Sequence, residues 1–188
     1  MITTEERAAA LERLRRSRQV LIDAVEGVTE TQARWQSEAG RWTILEYVEH
    51  LAVSDGELVR LVERALATPP RPETPEERRL REQKIRDTPM PRGVNHAPAR
   101  LRPGGRFGSL AEAMAAFLEA RERTLEYART TQAELRDHFA DHPVLGPMDG
   151  YQWLVANARH AESHAGHIRE IRSLAGFRGL EGCGENGR

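Results

Sequence analysis

The chain has 188 residues, 39% of them hydrophobic and 30% charged, with a formal net charge of −1. That length and balance suit a single soluble globular domain with a real core. Near-neutral charge and a pI of about 6.7 argue against nucleic-acid or anionic-membrane partners, and no apolar run has the length of a membrane span.

The first long helix is expected from Thr4 to Val25, where Leu11, Leu14, Leu21, Ile22 and Val25 recur at helical spacing between charges. The amino-terminal residues lack the basic-then-apolar order of a secretion signal. The one cysteine, Cys183, excludes a disulfide framework. Both features lead to the expectation of a reducing, cytoplasmic setting.

A second long helix should start near Ile44, because Thr43 and Glu46 form a capping box. Ile44, Val48, Leu51, Leu58 and Val62 then mark a buried stripe, and Thr68-Pro69-Pro70 ends it. Residues 68–108 hold eight of the ten prolines, so they read as a long crossover. Within it, "PEERRLREQKIRD" (75–87) can form a short helix. Connections of that length inside one domain are usually functional or mobile.

Ser109 and Glu112 make another capping box and open a third long helix, with Leu110, Met114, Phe117, Leu118 and Leu125 facing inward. The fourth follows Asp149 as N-cap, with Gln152 at N3, and runs to about Leu174, where Gly176 can cap it. No strand alternation is visible. The fold class is therefore all-α, a four-helix bundle with one long connection between its second and third helices. The domain is expected to span residues 1–177, with 178–188 as a flexible glycine-rich tail.

Three of the seven histidines fall within "RHAESHAGH", at His160, His164 and His167. Residues three or four apart share a helix face. The row Trp153, Asn157, His160, His164, then His167 or Ile168, ends in large apolar residues, so it should point into the bundle. A lone inward histidine is more often a hydrogen-bonded core residue than a ligand. Two at i,i+4 can converge on one ion, which makes metal ligation the better reading of His160 and His164. A third ligand remains open among His50, His96, His138, His142 and nearby carboxylates. His138 and His142 are also four apart, but Pro143 and Pro147 follow, so His142 reads as a turn residue. His96 lies in the proline-rich crossover and has no partner by spacing.

Three stretches resemble the DinB-like superfamily, the damage-inducible helical-bundle proteins and not the DNA polymerase that shares the name. "RWTILEYVEHL" resembles the family's W-s-i-x-E-x-x-x-H-L segment, "HPVLG" its H-P-x-x-G turn, and "RHAESHAGHIREI" its H-x-x-x-H-x-x-Q-I helix. They occur in the family's order, and the resemblance spans about residues 5–175. It implies an up-down-down-up bundle, which needs a long crossover, and a divalent metal held by three histidines. The first falls on His50 and the paired ones on His160 and His164. His142 matches the turn histidine, and His167 stands where the family has glutamine. The resemblance also implies a homodimer.

Three neutral imidazoles leave an ion its full charge and an open face. Two chemistries follow for a small-molecule substrate. One is hydrolysis. The other is transfer of a low-molecular-weight thiol as co-substrate. Zinc and nickel both suit imidazole ligands. His167, Asn157, Trp153 and Tyr47 are candidates to orient the ligands or line the pocket, as is Trp42, although core packing is the commoner role for each aromatic. Of the nearby carboxylates, Glu46 belongs to the capping box and Glu162 points to another face, and Glu49 carries no assigned role. No general base emerges. The competing reading is a non-catalytic, stress-related binding or dimerisation bundle with a vestigial metal site.

Overall fold

The computed structural model of the chain describes residues 1–89 and 97–182. His96, Cys183 and the end of the glycine-rich segment lie outside the described residues. Four long helices carry the fold: α1 (Thr4–Val25), α3 (Ile44–Leu66), α5 (Leu110–Thr130) and α6 (Gly150–Ser173). Short helices α2 (Glu30–Ala33), α4 (Pro75–Asp87) and α7 (Ala175–Arg178) link or flank them. Among the described residues no helix is long and apolar enough to cross a membrane.

The helix starts follow from side-chain caps. Thr3, Thr43, Thr74 and Asp149 each accept the N3 backbone N–H, and the N3 Glu or Gln bonds back to the cap. At α5 the reciprocity is broken. Ser109 caps the Glu112 amide, but the Glu112 carboxylate reaches one residue further and accepts from Gly108 N–H at 2.7 Å.

Long-range bonds fix the helix directions. Arg172 donates to Ala24 O, Arg169 to Val20 O, and Arg16 pairs with Glu162, so α1 and α6 run parallel. Arg7 donates to Ala128 O and Arg18 to Glu122, so α1 and α5 run antiparallel. His50 meets His160 while Tyr47 meets His167, so α3 and α6 are antiparallel. The bundle is thus up-down-down-up. The connection from α3 to α5 must return along the length of the bundle to begin a helix in the same direction, which is why it is long.

Two features differ from the sequence expectation. Phe139–His142 and Gly146–Asp149 form an antiparallel hairpin, β1 and β2. Four-residue strands are too short to display alternation. Gly146 closes the turn with φ 78°. Gly176 does not cap α6. That helix stops at Leu174 in extended conformation, and Gly176 lies inside α7, where an added Cβ would sit 2.7 Å from the Trp35 ring. Packing of Trp35, not helix termination, requires that glycine. Helical turns continue past residue 177, with a 3-10 turn at Gly179–Gly182.

The core has two apolar clusters, one around Leu21, Val48, Phe117 and Ile168, the other around Leu14, Leu58, Leu125 and Leu154. Between them lies a buried polar layer built on Arg121, which is 0% exposed. Its Nε and Nη2 grip Asp55 at 3.1 and 2.7 Å, Nη1 donates to Leu14 O and Ser17 Oγ, and Nη2 also donates to Asn157 Oδ1 at 2.9 Å. All five guanidinium donors are used. One residue from each long helix, Ser17, Asp55, Arg121 and Asn157, is therefore locked in register at mid-bundle.

A second ionic knot holds the hairpin end. Arg136 bonds Asp149 at 2.8 Å and also pairs with Glu6 and Glu82. Arg81 donates to Pro147 O, and Arg159 donates to Ile85 O. These bonds seat α4 against the hairpin and α6.

Candidate metal centre

The capping box at Thr43 sets the phase of α3 and turns His50 toward α6. The Asp149–Gln152 box does the same for His160 and His164. Across the antiparallel α3–α6 pair the three rings converge. His160 Nε2 lies 3.0 Å from His50 Nε2 and 2.9 Å from His164 Nε2. Ligand atoms of all three lie within 4.8 Å of one another.

The remaining nitrogens show which atoms can ligate. His50 Nδ1 donates to Leu101 O at 2.8 Å, so its Nε2 keeps the lone pair. His164 Nδ1 meets His167 Nδ1 at 3.3 Å, which likewise leaves its Nε2 facing His160. Burial pushes the pKa of His50 down and those of His160 and His164 well down, with the neighbouring imidazoles adding to the effect in the latter two. Neutral imidazole is the form that ligates. A tetrahedral ion with bonds of ~2.0–2.1 Å holds its nitrogens about 3.3 Å apart, close to the separations seen here. The three histidines thus fit a divalent ion by donor type, tautomer and spacing.

Aromatic rings wall the cluster. Trp42 lies 4.8 Å from His50, and Tyr47 lies 5.1 Å from His164 and 5.5 Å from His167, by ring centroids. The crossover supplies the other support. Beside His50, buried Glu49 accepts backbone N–H groups of Gly104, Gly105 and Arg106 and pairs with the Arg106 guanidinium at 2.9 Å. Burial raises the Glu49 carboxyl, but those donors outweigh it and leave its pKa below the ordinary value. The same segment is thereby fixed where Leu101 O can hold His50.

The structure sorts the other sequence candidates. Glu46 completes its capping box, and Glu162 pairs with Arg16 on the surface. His138 donates from Nδ1 to Thr68 O at 2.7 Å and fastens the hairpin to the end of α3, away from the cluster. His142 ends β1, and its Nδ1 accepts the backbone N–H groups of Val144 and Leu145. Burial holds its pKa down at about 4. Trp153 packs on His142 at 5.2 Å. Asn157 reaches Arg121, a residue that the sequence reading passed over, as it did Asp55. Their signal was a charge on an otherwise apolar stripe: Asp55 between Leu51 and Leu58, Arg121 between Phe117 and Leu125.

A cavity of about 130 Å³ adjoins the cluster. Its wall includes His50, His160 and His164, apolar residues such as Leu58, Leu61 and Val144, and the polar side chains of Trp153, Asn157 and Arg100. Among the described residues that line it, none is a carboxylate.

A family model of the DinB superfamily matches residues 13–168. Among solved structures, YfiT from Bacillus subtilis, described as "a probable metal-dependent hydrolase with an unusual four-helix bundle topology", is similar in fold with a TM-score of 0.60. The two chains are 19% identical, over 92% of this chain and 89% of that one. No curated protein matches the sequence significantly.

Proposed function

The chain belongs to the DinB superfamily, and from that premise we propose that it is a metal-dependent enzyme acting on a small molecule. Nε2 of His50, His160 and His164 would hold the ion, zinc or nickel. The observation that carries this reading is the meeting of three Nε2 atoms, from buried His50 and His164 and half-buried His160, beside a cavity, with the His50 tautomer already set by Leu101 O.

A divalent ion in that place supplies Lewis acidity, lowering the pKa of water or a thiol and polarising a carbonyl oxygen. The chain's own residues do the rest. His167 and Leu101 O orient two of the ligands, Trp42 and Tyr47 exclude water from their far side, and the cavity admits the substrate. No carboxylate is among the described lining residues, so a bound ion would be what activates the nucleophile. That suits hydrolysis, which the description of YfiT also favours, and it suits transfer from a low-molecular-weight thiol as co-substrate. The competing reading, a non-catalytic binding or dimerisation bundle, draws no support from exposed apolar surface among the described residues. The large exposed hydrophobic residues among those described are Met1, Leu80, Val144 and Leu174, which are scattered along the chain.

The test is metal analysis of protein purified anaerobically and offered zinc and nickel. One ion per chain is expected, and it should be lost in His160→Ala. The loaded protein is then screened for ester and amide hydrolysis and for addition of a small thiol to an electrophile. Failure to bind either metal stoichiometrically ends the proposal.

A further inference from the structure

The cavity has a direction. Because α3 and α6 run antiparallel, leaving the histidine cluster forward along α3 and backward along α6 leads to the same place. His50, Ser54, Leu58 and Leu61 succeed one another on one face of α3 at steps of three and four. His164, His160, Ala156 and Trp153 do the same on α6. Leu58 and Leu61 therefore lie two and three turns beyond His50, and Trp153 two turns beyond His160.

Polarity falls along that direction. Ser54, one turn from His50, spends its proton on His50 O at 2.7 Å and can only accept from a ligand. Asn157, facing it from α6, is tied to Arg121. Beyond them the helices offer mainly carbon. Leu58, Leu61 and Ala156 have apolar side chains. Trp153 has one polar side-chain atom, Nε1, and that atom is buried, so the residue meets the cavity with ring carbon. His142 packs on the Trp153 ring at 5.2 Å and is neutral, because burial holds its pKa at about 4. The cation among the described lining residues, Arg100, is exposed on the crossover.

Size and exposure fit an apolar occupant. An apolar protein cavity of roughly 150 Å³ takes up benzene, and this one measures about 130 Å³. Ala156 is the small residue that leaves the room, between Trp153 and His160 on the α6 row. Val144, on the hairpin turn, lines the same cavity and stays 36% exposed, one of four large hydrophobic residues left so among those described. Covering it with an apolar ligand is favourable.

We propose that the substrate carries an apolar group, a phenyl ring or a short alkyl chain, joined to its reacting centre by a few atoms, and that Leu58, Leu61, Ala156 and the Trp153 ring select it. The placing of the reacting centre rests on the metal-dependent reading above, but the apolar receptacle belongs to the chain and does not need the ion. Ala156 sets its depth, since a longer side chain there would occupy the space. A hydroxylated or charged tail of the same length would give up its hydration against carbon and is disfavoured.

The experiment is calorimetric titration of the zinc-loaded full chain with straight-chain thiols from ethanethiol to pentanethiol, whose sulfur takes the ion and whose tail enters the cavity. Affinity should rise by up to about fourfold for each methylene buried. 4-Mercaptobutan-1-ol, with a hydroxyl in place of the terminal methyl of pentanethiol, should bind about tenfold more weakly than pentanethiol. Ala156→Leu should reduce pentanethiol to the affinity of ethanethiol, and Leu61→Gln should weaken pentanethiol about tenfold. Both variants should keep one zinc per chain and bind ethanethiol as the parent chain does. A flat thiol series on zinc-loaded protein, or equal affinity for pentanethiol and its hydroxyl analogue, overturns the inference and leaves the metal reading intact. If the chain takes up no zinc, toluene decides. Ring-current shifts of the Leu58, Leu61 and Val144 methyl signals in metal-free protein uphold the apolar receptacle while the metal reading falls, and unmoved methyl signals overturn both.

Discussion

His164 and His167 meet through their Nδ1 atoms at 3.3 Å, one turn apart on α6. The contact explains how a histidine stands where the family pattern has glutamine. Either residue can accept from the Nδ1–H of His164, fix its tautomer and leave Nε2 for an ion. His167→Gln should therefore keep zinc affinity within a few-fold of the parent chain. His167→Leu should lower it by about 10–100-fold. Competition with a chromophoric chelator measures both, and equal losses in the two variants would count against this role.

His50 tests the assembly across helices. It is the one proposed ligand on α3, and 110 residues separate it from His160. His50→Ala should abolish stoichiometric metal, as should His164→Ala, with circular dichroism and urea midpoint little changed in the metal-free state. By contrast, His138→Ala should leave metal content at one per chain, because that ring bonds Thr68 O at the far side of the hairpin.

The polar layer predicts a stability effect with a defined chemical origin. Arg121→Met strands the Asp55 carboxylate in the core and should cost about 3–5 kcal/mol in urea unfolding. Asp55→Asn/Arg121→Met removes both charges and should recover part of that loss. A single variant as stable as the parent chain would show that the network is dispensable.

Much of this arrangement was legible in the residues. Caps at Thr43, Ser109 and Asp149 placed the helix starts, since capping is local chemistry between residues three apart. The i,i+4 spacing singled out His160 and His164 for the same reason. What brings His50 to them is the packing of α3 against α6; helical geometry put it on the shoulder of the buried stripe as one candidate among several, and the family resemblance singled it out. Leu101 and Glu49 were not readable as supports. Their roles depend on where an irregular crossover lies, and no repeat in the sequence encodes that path. The hairpin escaped notice because four residues cannot establish a period.

Glu49 leads to a prediction about that crossover. Its carboxylate is the shared acceptor for the backbone of Gly104, Gly105 and Arg106. Glu49→Ala should accelerate amide hydrogen exchange at those residues by tenfold or more. Because Leu101 lies just upstream, metal affinity should also fall, by less than in His50→Ala. Exchange rates unchanged at Gly104 and Gly105 would show that the segment is held some other way.

His142 supplies a pH dependence whose sign can be worked out. Burial holds the folded ring near pKa 4, below its ordinary 6.5. Above pH 6.5 neither folded nor unfolded chain binds this proton, so its contribution to stability is fully present. Between 6.5 and about 4 the unfolded chain takes up the proton and the folded chain does not, so stability falls as the pH drops. Below about 4 both are protonated and the loss levels off. The pKa values of His50, His160 and His164 are lowered too and act in the same direction, so the His142 share must be read as a difference. Asn at position 142 can still accept backbone N–H groups in the turn but does not titrate. Urea unfolding of metal-free protein at pH 7.5 and pH 5 should therefore show a smaller loss for His142→Asn than for the parent chain. Identical losses would mean that position 142 is not where this proton is refused.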